Sequence, residues 1–214
     1  MLLFSMVAHE WAHAEAAYRQ GDDTAYLLGR LTFNPLKHID PIMTVLLPAL
    51  LIASHAGFVF GAAKPVPVNP RKYRHYRRGD VIVSLAGIAM NLALFVVCLG
   101  LFAVTGVVGD TLTGAQGPLA IFQVMLKAGM SLNLVLAFFN LIPIPPLDGS
   151  HVLYQLLPPG AGLRFRQLYA FGMIPLFLII AFAPGLLTPF LWPVNHLRDL
   201  GWNLVRTFAL PGVL

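Results

Sequence analysis

Residues 1–18, MLLFSMVAHEWAHAEAAY, place three catalytically capable side chains inside an otherwise apolar stretch: His9, Glu10 and His13. Residues four apart lie on one face of an α-helix, so both imidazoles can reach a single metal ion. Histidine and glutamate are costly in hydrocarbon and normally occur there only with a function. The pattern H-E-x-x-H in this setting predicts a zinc site, with Glu10 as the general base for an activated water.

The composition is that of a membrane protein. The 214 residues are 57% hydrophobic and 11% charged, whereas a soluble domain carries about 25% charged residues. Several apolar runs approach 20 residues, which is long enough to cross a bilayer. We therefore predict an all-α polytopic membrane protein with about five to six membrane segments. We expect a single domain over residues 1–214, with a core over 1–155 and accessory helices over 156–214.

The apolar segments differ in how strongly their sequences predict a membrane span. Residues 81–108 and 118–142 are strong candidates for full spans, and prolines interrupt a third candidate at 168–187. Residues 41–63 are apolar but contain Pro48, so they could cross the membrane or enter and return. We expect a re-entrant path for them.

Basic residues outnumber acidic ones, 14 to 9, for a formal net charge of +5. Many of them cluster in residues 64–80, beside an apolar run. Lys and Arg next to a membrane span more often fix topology than bind nucleic acid, and no nucleic-acid motif accompanies them. We expect a cytoplasmic loop at 64–80 and no nucleic-acid partner.

The first helix poses a problem of length. Eight residues precede His9, too few to cross a bilayer at about 1.5 Å per residue. Either part of the first span is missing, or neighbouring helices stabilise a short one.

A catalytic zinc needs three protein ligands and one open position. Asp148 is the best third candidate, because it follows the apolar Leu147 at the end of a predicted span. The adjacent Gly149 permits the close backbone approach of a packed site. The alternative is that Asp148 simply caps a helix that starts near Gly149.

Three motifs together resemble the site-2 protease family of intramembrane zinc metalloproteases. They are HEWAH at 9–13, AGIAMN at 86–91 and NLIPIPPLDG at 140–149. The strings GRLTFNPLKHIDP and AKPVPVNPR are similar to the small prokaryotic members that lack a PDZ or CBS domain. The resemblance extends over about residues 5 to 155.

The resemblance implies that His9, His13 and Asp148 hold one zinc ion per chain and that Glu10 activates the water. It implies a core of three transmembrane helices, with the zinc inside the bilayer near the cytoplasmic face. The protein would be integral to a membrane, most simply the inner membrane of a prokaryotic cell. Its partners would be the lipid bilayer and a transmembrane protein substrate, locally unwound for cleavage.

Two asparagines match the family pattern. The resemblance implies that Asn91 and Asn140 hold the extended substrate backbone or polarise its carbonyl. Hydrogen bonds between packed membrane helices explain such residues equally well.

Two other functions compete with an intramembrane endopeptidase: a catalytically idle scaffold that binds membrane helices, and a metal carrier. Glu10 separates the alternatives, because binding or carrying a metal needs ligands but no general base.

Overall fold

Every regular element of the described chain is a helix. The computed structural model describes residues 1–55, 61, 63–111 and 116–213. A π-helical turn over Pro41–Leu46 leads into α3, and short 3-10 turns follow several other helices. The α-helices are α1 Leu2–Gln20, α2 Thr24–Leu27, α3 Leu47–Ala53, α4 Tyr76–Thr111, α5 Gln116–Asn140, α6 Asp148–Leu156, α7 Pro159–Gln167, α8 Ile174–Phe182 and α9 Thr188–Val205.

Within the described residues, two helices are long and apolar enough to cross a membrane, namely α4 and most of α5. The 36 residues of α4 extend about 54 Å at 1.5 Å per residue, well beyond a hydrocarbon core of about 30 Å. A third candidate is the pair Pro159–Phe171 and Ile174–Phe182, bent by 86° at the break between them. The predicted all-α membrane architecture is confirmed at this level.

The finer predictions have mixed outcomes. The first strong span begins at Tyr76 rather than 81, so the end of the basic segment is helical. Residues 41–53 form a helix too short to count as a span, while residues 56–60 and 62 lie outside the described residues. The count of five to six segments, the three-helix core and the single domain with its core at 1–155 stay predictions.

The chain divides into two compact units, one of which is Met6–Gly87. Small side chains let its helices and loops approach closely: Ala14 and Ala25 pack against Val66. Tyr73 and Val83 form a second cluster with a neighbouring alanine of α1. Val66 and Tyr73, which precede α4, thus pack against the helix that carries the H-E-x-x-H motif.

The other unit comprises Met1–Ser5 and Ile88–Leu214. In it α4 and α5 share an apolar core with α9 and the residues that follow it; its buried members are Cys98, Phe102, Leu126, Met130, Val205, Leu210 and Val213. A polar contact is buried between the same helices, where Asn91 Nδ2 donates to Asn133 Oδ1 at 2.9 Å. A second apolar cluster surrounds the residues just before α6.

Candidate metal centre

The helix α1 presents two imidazoles to one point. His9 and His13 lie one turn apart, and both are buried. Their Nε2 atoms are 3.0 Å apart, with the rings almost perpendicular at 82°. The i, i+4 relation expected from the sequence therefore produces convergence of the two nitrogens.

A backbone carbonyl of α4 orients His13. His13 Nδ1 lies 2.7 Å from the carbonyl oxygen of Val83. A carbonyl can only accept, so Nδ1 carries the proton and Nε2 keeps its lone pair. Histidines that bind metals are commonly held in this way through their second ring nitrogen.

Gly87 leaves room at the two nitrogens. A Cβ atom at this position would lie 2.5 Å from His13 Nε2 and 2.7 Å from His9 Nε2. Any side chain larger than hydrogen would occupy the space beside both nitrogens. The glycine of AGIAMN is therefore a spatial requirement of the histidine pair.

This geometry fits zinc. Two nitrogens bound to one tetrahedral zinc at about 2.05 Å would lie about 3.3 Å apart. The observed separation of 3.0 Å is close to that value. Two imidazoles completed by a carboxylate are also a donor set that zinc accepts in hydrolases.

The carboxylate of Glu10 is held by the backbone. Its Oε2 accepts a hydrogen bond from the amide N–H of Val66 at 2.8 Å. Val66 lies in an extended segment 56 residues further along the chain. The side chain that would act as general base therefore has a defined position on the same helix as the two histidines.

Asp148 is the first residue of α6 and is half-buried. The N-cap position belongs to Leu147, and Asp148 is the acidic residue of the first turn; its role as a metal ligand stays a prediction. A Cβ at Gly149 would collide with the backbone carbonyl of Leu141 and come within 2.8 Å of that of Ile142. The close backbone approach at Gly149 is present.

The two asparagines have hydrogen bonds of different kinds. Asn91 is fully buried and donates to Asn133, whose own Nδ2 donates to the carbonyl of Gly129 at 2.8 Å. Asn140 donates to the carbonyl of Leu136 one turn earlier in α5, at 2.9 Å. A substrate role for either asparagine stays a prediction.

Three groups at these sites were not among the residues predicted from the sequence. Asn133 could have been found, because a buried amide in a membrane span demands a partner. The amide of Val66 and the carbonyl of Val83 could not, because every residue supplies a backbone carbonyl and every residue except proline supplies an amide N–H.

The comparison with known proteins decides the family. Residues 1–182 match the family described as Peptidase family M50. The chain belongs to this family. M50 is the site-2 protease family, so the resemblance drawn from the three motifs is confirmed. No solved structure matches this M50 peptidase.

Curated relatives of this M50 peptidase bear consistent names. "Putative zinc metalloprotease YwhC" of Bacillus subtilis is 40% identical over 97% of this chain and 89% of its own length. "Putative zinc metalloprotease Rip2" of Mycobacterium tuberculosis is 33% identical over 99% of this chain and 76% of its own. The Rip2 protein of Mycolicibacterium smegmatis is 37% identical over 73% of this chain and 56% of its own. The M50 peptidase is thus a zinc metalloprotease of the membrane.

Proposed function

We propose that this M50 peptidase hydrolyses peptide bonds within or near transmembrane segments of other membrane proteins. In this proposal His9, His13 and Asp148 hold one zinc ion per chain, and Glu10 is the general base. The observation that best supports it is the pair of Nε2 atoms 3.0 Å apart, facing the space left by Gly87. Glu10 follows His9 directly on the same helix.

Zinc, when bound, would lower the pKa of a water toward about 7 and polarise the scissile carbonyl. Glu10 then accepts the proton of the attacking water as its oxygen bonds to the carbonyl carbon. The same carboxyl group passes that proton to the amide nitrogen as the C–N bond breaks. The products are one carboxylic acid and one amine, which become a carboxylate and an ammonium group by proton exchange, and the chain needs no nucleophilic side chain.

The substrate class follows from the setting of the motif. His9 and His13 are buried in a largely apolar helix, and α4, which supplies Val83 and Gly87, contains the more apolar of the two membrane-capable stretches described. A soluble peptide would have to lose the water bound to its polar groups to enter such surroundings. A transmembrane segment is already there, and Asn91 and Asn140 are our candidates for holding its backbone once it unwinds.

Topology completes the proposal. The exposed cations near the start of α4 support a cytoplasmic location for that end, by the positive-inside rule. The zinc would then lie toward the cytoplasmic side of a prokaryotic cell membrane. The catalytic core would occupy residues 1–155 of one domain.

The test compares Glu10→Gln with the parent protein in vesicles that contain a transmembrane reporter substrate. We expect Glu10→Gln to abolish cleavage and to retain the zinc. Glu15→Gln is the matched control, because Glu15 lies on the same helix but pairs with Arg19 at 2.7 Å. It should cleave like the parent.

Each competing function has its own signature in that experiment. An idle scaffold would show no zinc-dependent cleavage in the parent. A metal carrier would transport zinc equally well in the parent and in Glu10→Gln. Cleavage that survives Glu10→Gln would contradict our assignment of the general base.

The ligand set needs a separate measurement of zinc per purified chain. His13→Ala and Asp148→Ala should both lose the metal. Zinc lost in His13→Ala but retained in Asp148→Ala would show that another residue is the third ligand.

A further inference from the structure

Residues 64–69, KPVPVN, form an extended segment that crosses α1 at Glu10; we call it the strap. Its contact with Glu10 is a single hydrogen bond from the amide of Val66. One hydrogen bond positions a carboxylate only if its donor is itself immobile. The neighbours of Val66 therefore decide whether this contact has a function.

The strap is attached at both ends. At its start the amide of Lys64 donates to the carbonyl of His38 at 2.8 Å, and Arg30 donates to the carbonyl of Lys64 at 3.0 Å. At its end the amide of Asn69 donates to Asp22 Oδ2 at 2.5 Å. The Val66 side chain is buried between these anchors.

The sequence of the strap makes it stiff. Pro65 and Pro67 flank Val66, and the proline ring fixes φ near −65°. A residue that precedes proline is also restricted to extended backbone. Few backbone torsions between Asn69 and Val66 are free to rotate, so a movement of Asn69 also moves the Val66 amide.

Asp22 is the unusual member of this arrangement. Its side chain is fully buried, although burying a carboxylate is costly unless donors surround it. Its Oδ1 accepts from the amide and hydroxyl of Thr24, and its Oδ2 accepts from Asn69. The contacts to Thr24 are local, whereas the contact to Asn69 spans 47 residues and ends on the strap.

We infer that Asp22 is a positioning residue for Glu10 and acts through the strap. Asp22 holds Asn69, the proline-stiffened strap holds the Val66 amide, and that amide holds Glu10 Oε2. The other oxygen, Oε1, is thereby assigned to take the proton from water. The inference rests on the proposed role of Glu10 as general base.

The direct test removes one hydrogen-bond donor. Replacing Val66 by its α-hydroxy acid converts the amide N–H to an ester oxygen and leaves the side chain unchanged. We expect kcat to fall roughly 10-fold, the order found when a group that orients an active-site residue is lost, with KM and zinc content unchanged. The same replacement at Val68 is the matched control, since it is also a valine after a proline. Equal effects at 66 and 68 would overturn the inference.

The second test addresses Asp22. Asp22→Asn cannot accept from all three donors and should lower kcat while KM and zinc content stay the same. Asp23→Asn is the control, because it makes the same substitution at the next residue. Asp23 pairs with the exposed Lys72 at 2.5 Å. Combined with the ester at 66, Asp22→Asn should lower kcat little further, because both changes break one chain of contacts. Fully additive effects, or loss of zinc in Asp22→Asn, would refute a positioning role.

A third measurement does not depend on activity. We expect hydrogen exchange at the Val66 amide to accelerate in both Glu10→Ala and Asp22→Asn, while Asn69 accelerates only in Asp22→Asn. Unchanged exchange at Val66 in Asp22→Asn would refute the coupling even if cleavage is normal. If this exchange pattern appears but the parent cleaves no substrate, the coupling of Asp22 to Glu10 through the strap is supported and the proposed function is wrong.

Discussion

His9 Nε2 and His13 Nε2 lie 3.0 Å apart on α1, and the backbone of α4 at Gly87 borders them both. A helix places two residues on one face, but it does not orient their rings. The carbonyl of Val83 does so for His13. The arrangement of the two imidazoles is thus a joint product of two helices, and it can be perturbed from α4 without changing either histidine.

Gly87→Ala should weaken zinc binding by roughly 10-fold or more, as loss of a group that orients metal ligands does. The added methyl would lie 2.5 Å from His13 Nε2, so one imidazole must turn away. Zinc content after dialysis against a weak chelator measures the effect. Gly100→Ala, in the same helix with open space around it, should keep the metal. Full zinc occupancy in Gly87→Ala would contradict the arrangement.

Gly149→Ala should destabilise the protein by about 1–3 kcal/mol, the usual cost of overpacking. The methyl would meet the backbone carbonyls of Leu141 and Ile142, which cannot rotate away. Thermal unfolding in detergent measures the loss. Gly160→Ala is the counterpart, because Gly160 is the second residue of α7 as Gly149 is of α6. A Cβ at Gly160 would point into open space. Similar unfolding temperatures for the two variants would show that α6 can shift.

Asn91→Ala and Asn133→Ala break the same buried hydrogen bond. Each should cost about 1 kcal/mol, as polar contacts between membrane helices do, and should lower the unfolding temperature similarly. If Asn91 also holds substrate, only Asn91→Ala raises KM for the reporter. Equal KM values in the two variants would show that Asn91 has a structural role and does not bind substrate.

Tyr73→Phe should stabilise the protein by about 1 kcal/mol. The hydroxyl of Tyr73 is buried and finds no hydrogen-bond partner among the described residues. Burial, more than the nearby acidic groups, raises the pKa of Tyr73 above its usual value of 10.0. Tyr73→Phe removes a buried polar group that makes no hydrogen bond within the described part of the chain.

The same substitution should change the response to alkali. Tyr73 ionises more readily in the unfolded chain than in the folded one. Its ionisation therefore lowers the free energy of unfolding as the pH rises above about 10. Below that pH its contribution is constant. Tyr73→Phe should therefore flatten the fall in unfolding temperature above that pH, whereas Tyr76→Phe, at an exposed position, should not. A parallel fall in both variants would show that Tyr73 does not titrate in this range.

Local patterns in the sequence were sufficient for the class of protein and for the pairing of His9 with His13. Hydropathy depends on composition over about 20 residues, so α4 and α5 were recognisable as spans. The i, i+4 spacing of His9 and His13 follows from helical periodicity alone. The motif at 86–91 identified Gly87 as part of a family pattern, without showing what the glycine does.

Only the tertiary structure decided what surrounds these residues. Gly87 is 74 positions after His13, the Val66 amide is 56 after Glu10 and Asn69 is 47 after Asp22. Such contacts form when distant segments pack, and two of them involve the backbone N–H, which every residue except proline possesses. A sequence shows which side chains are available, whereas backbone donors and the space left by a missing side chain become visible only when the chain has folded.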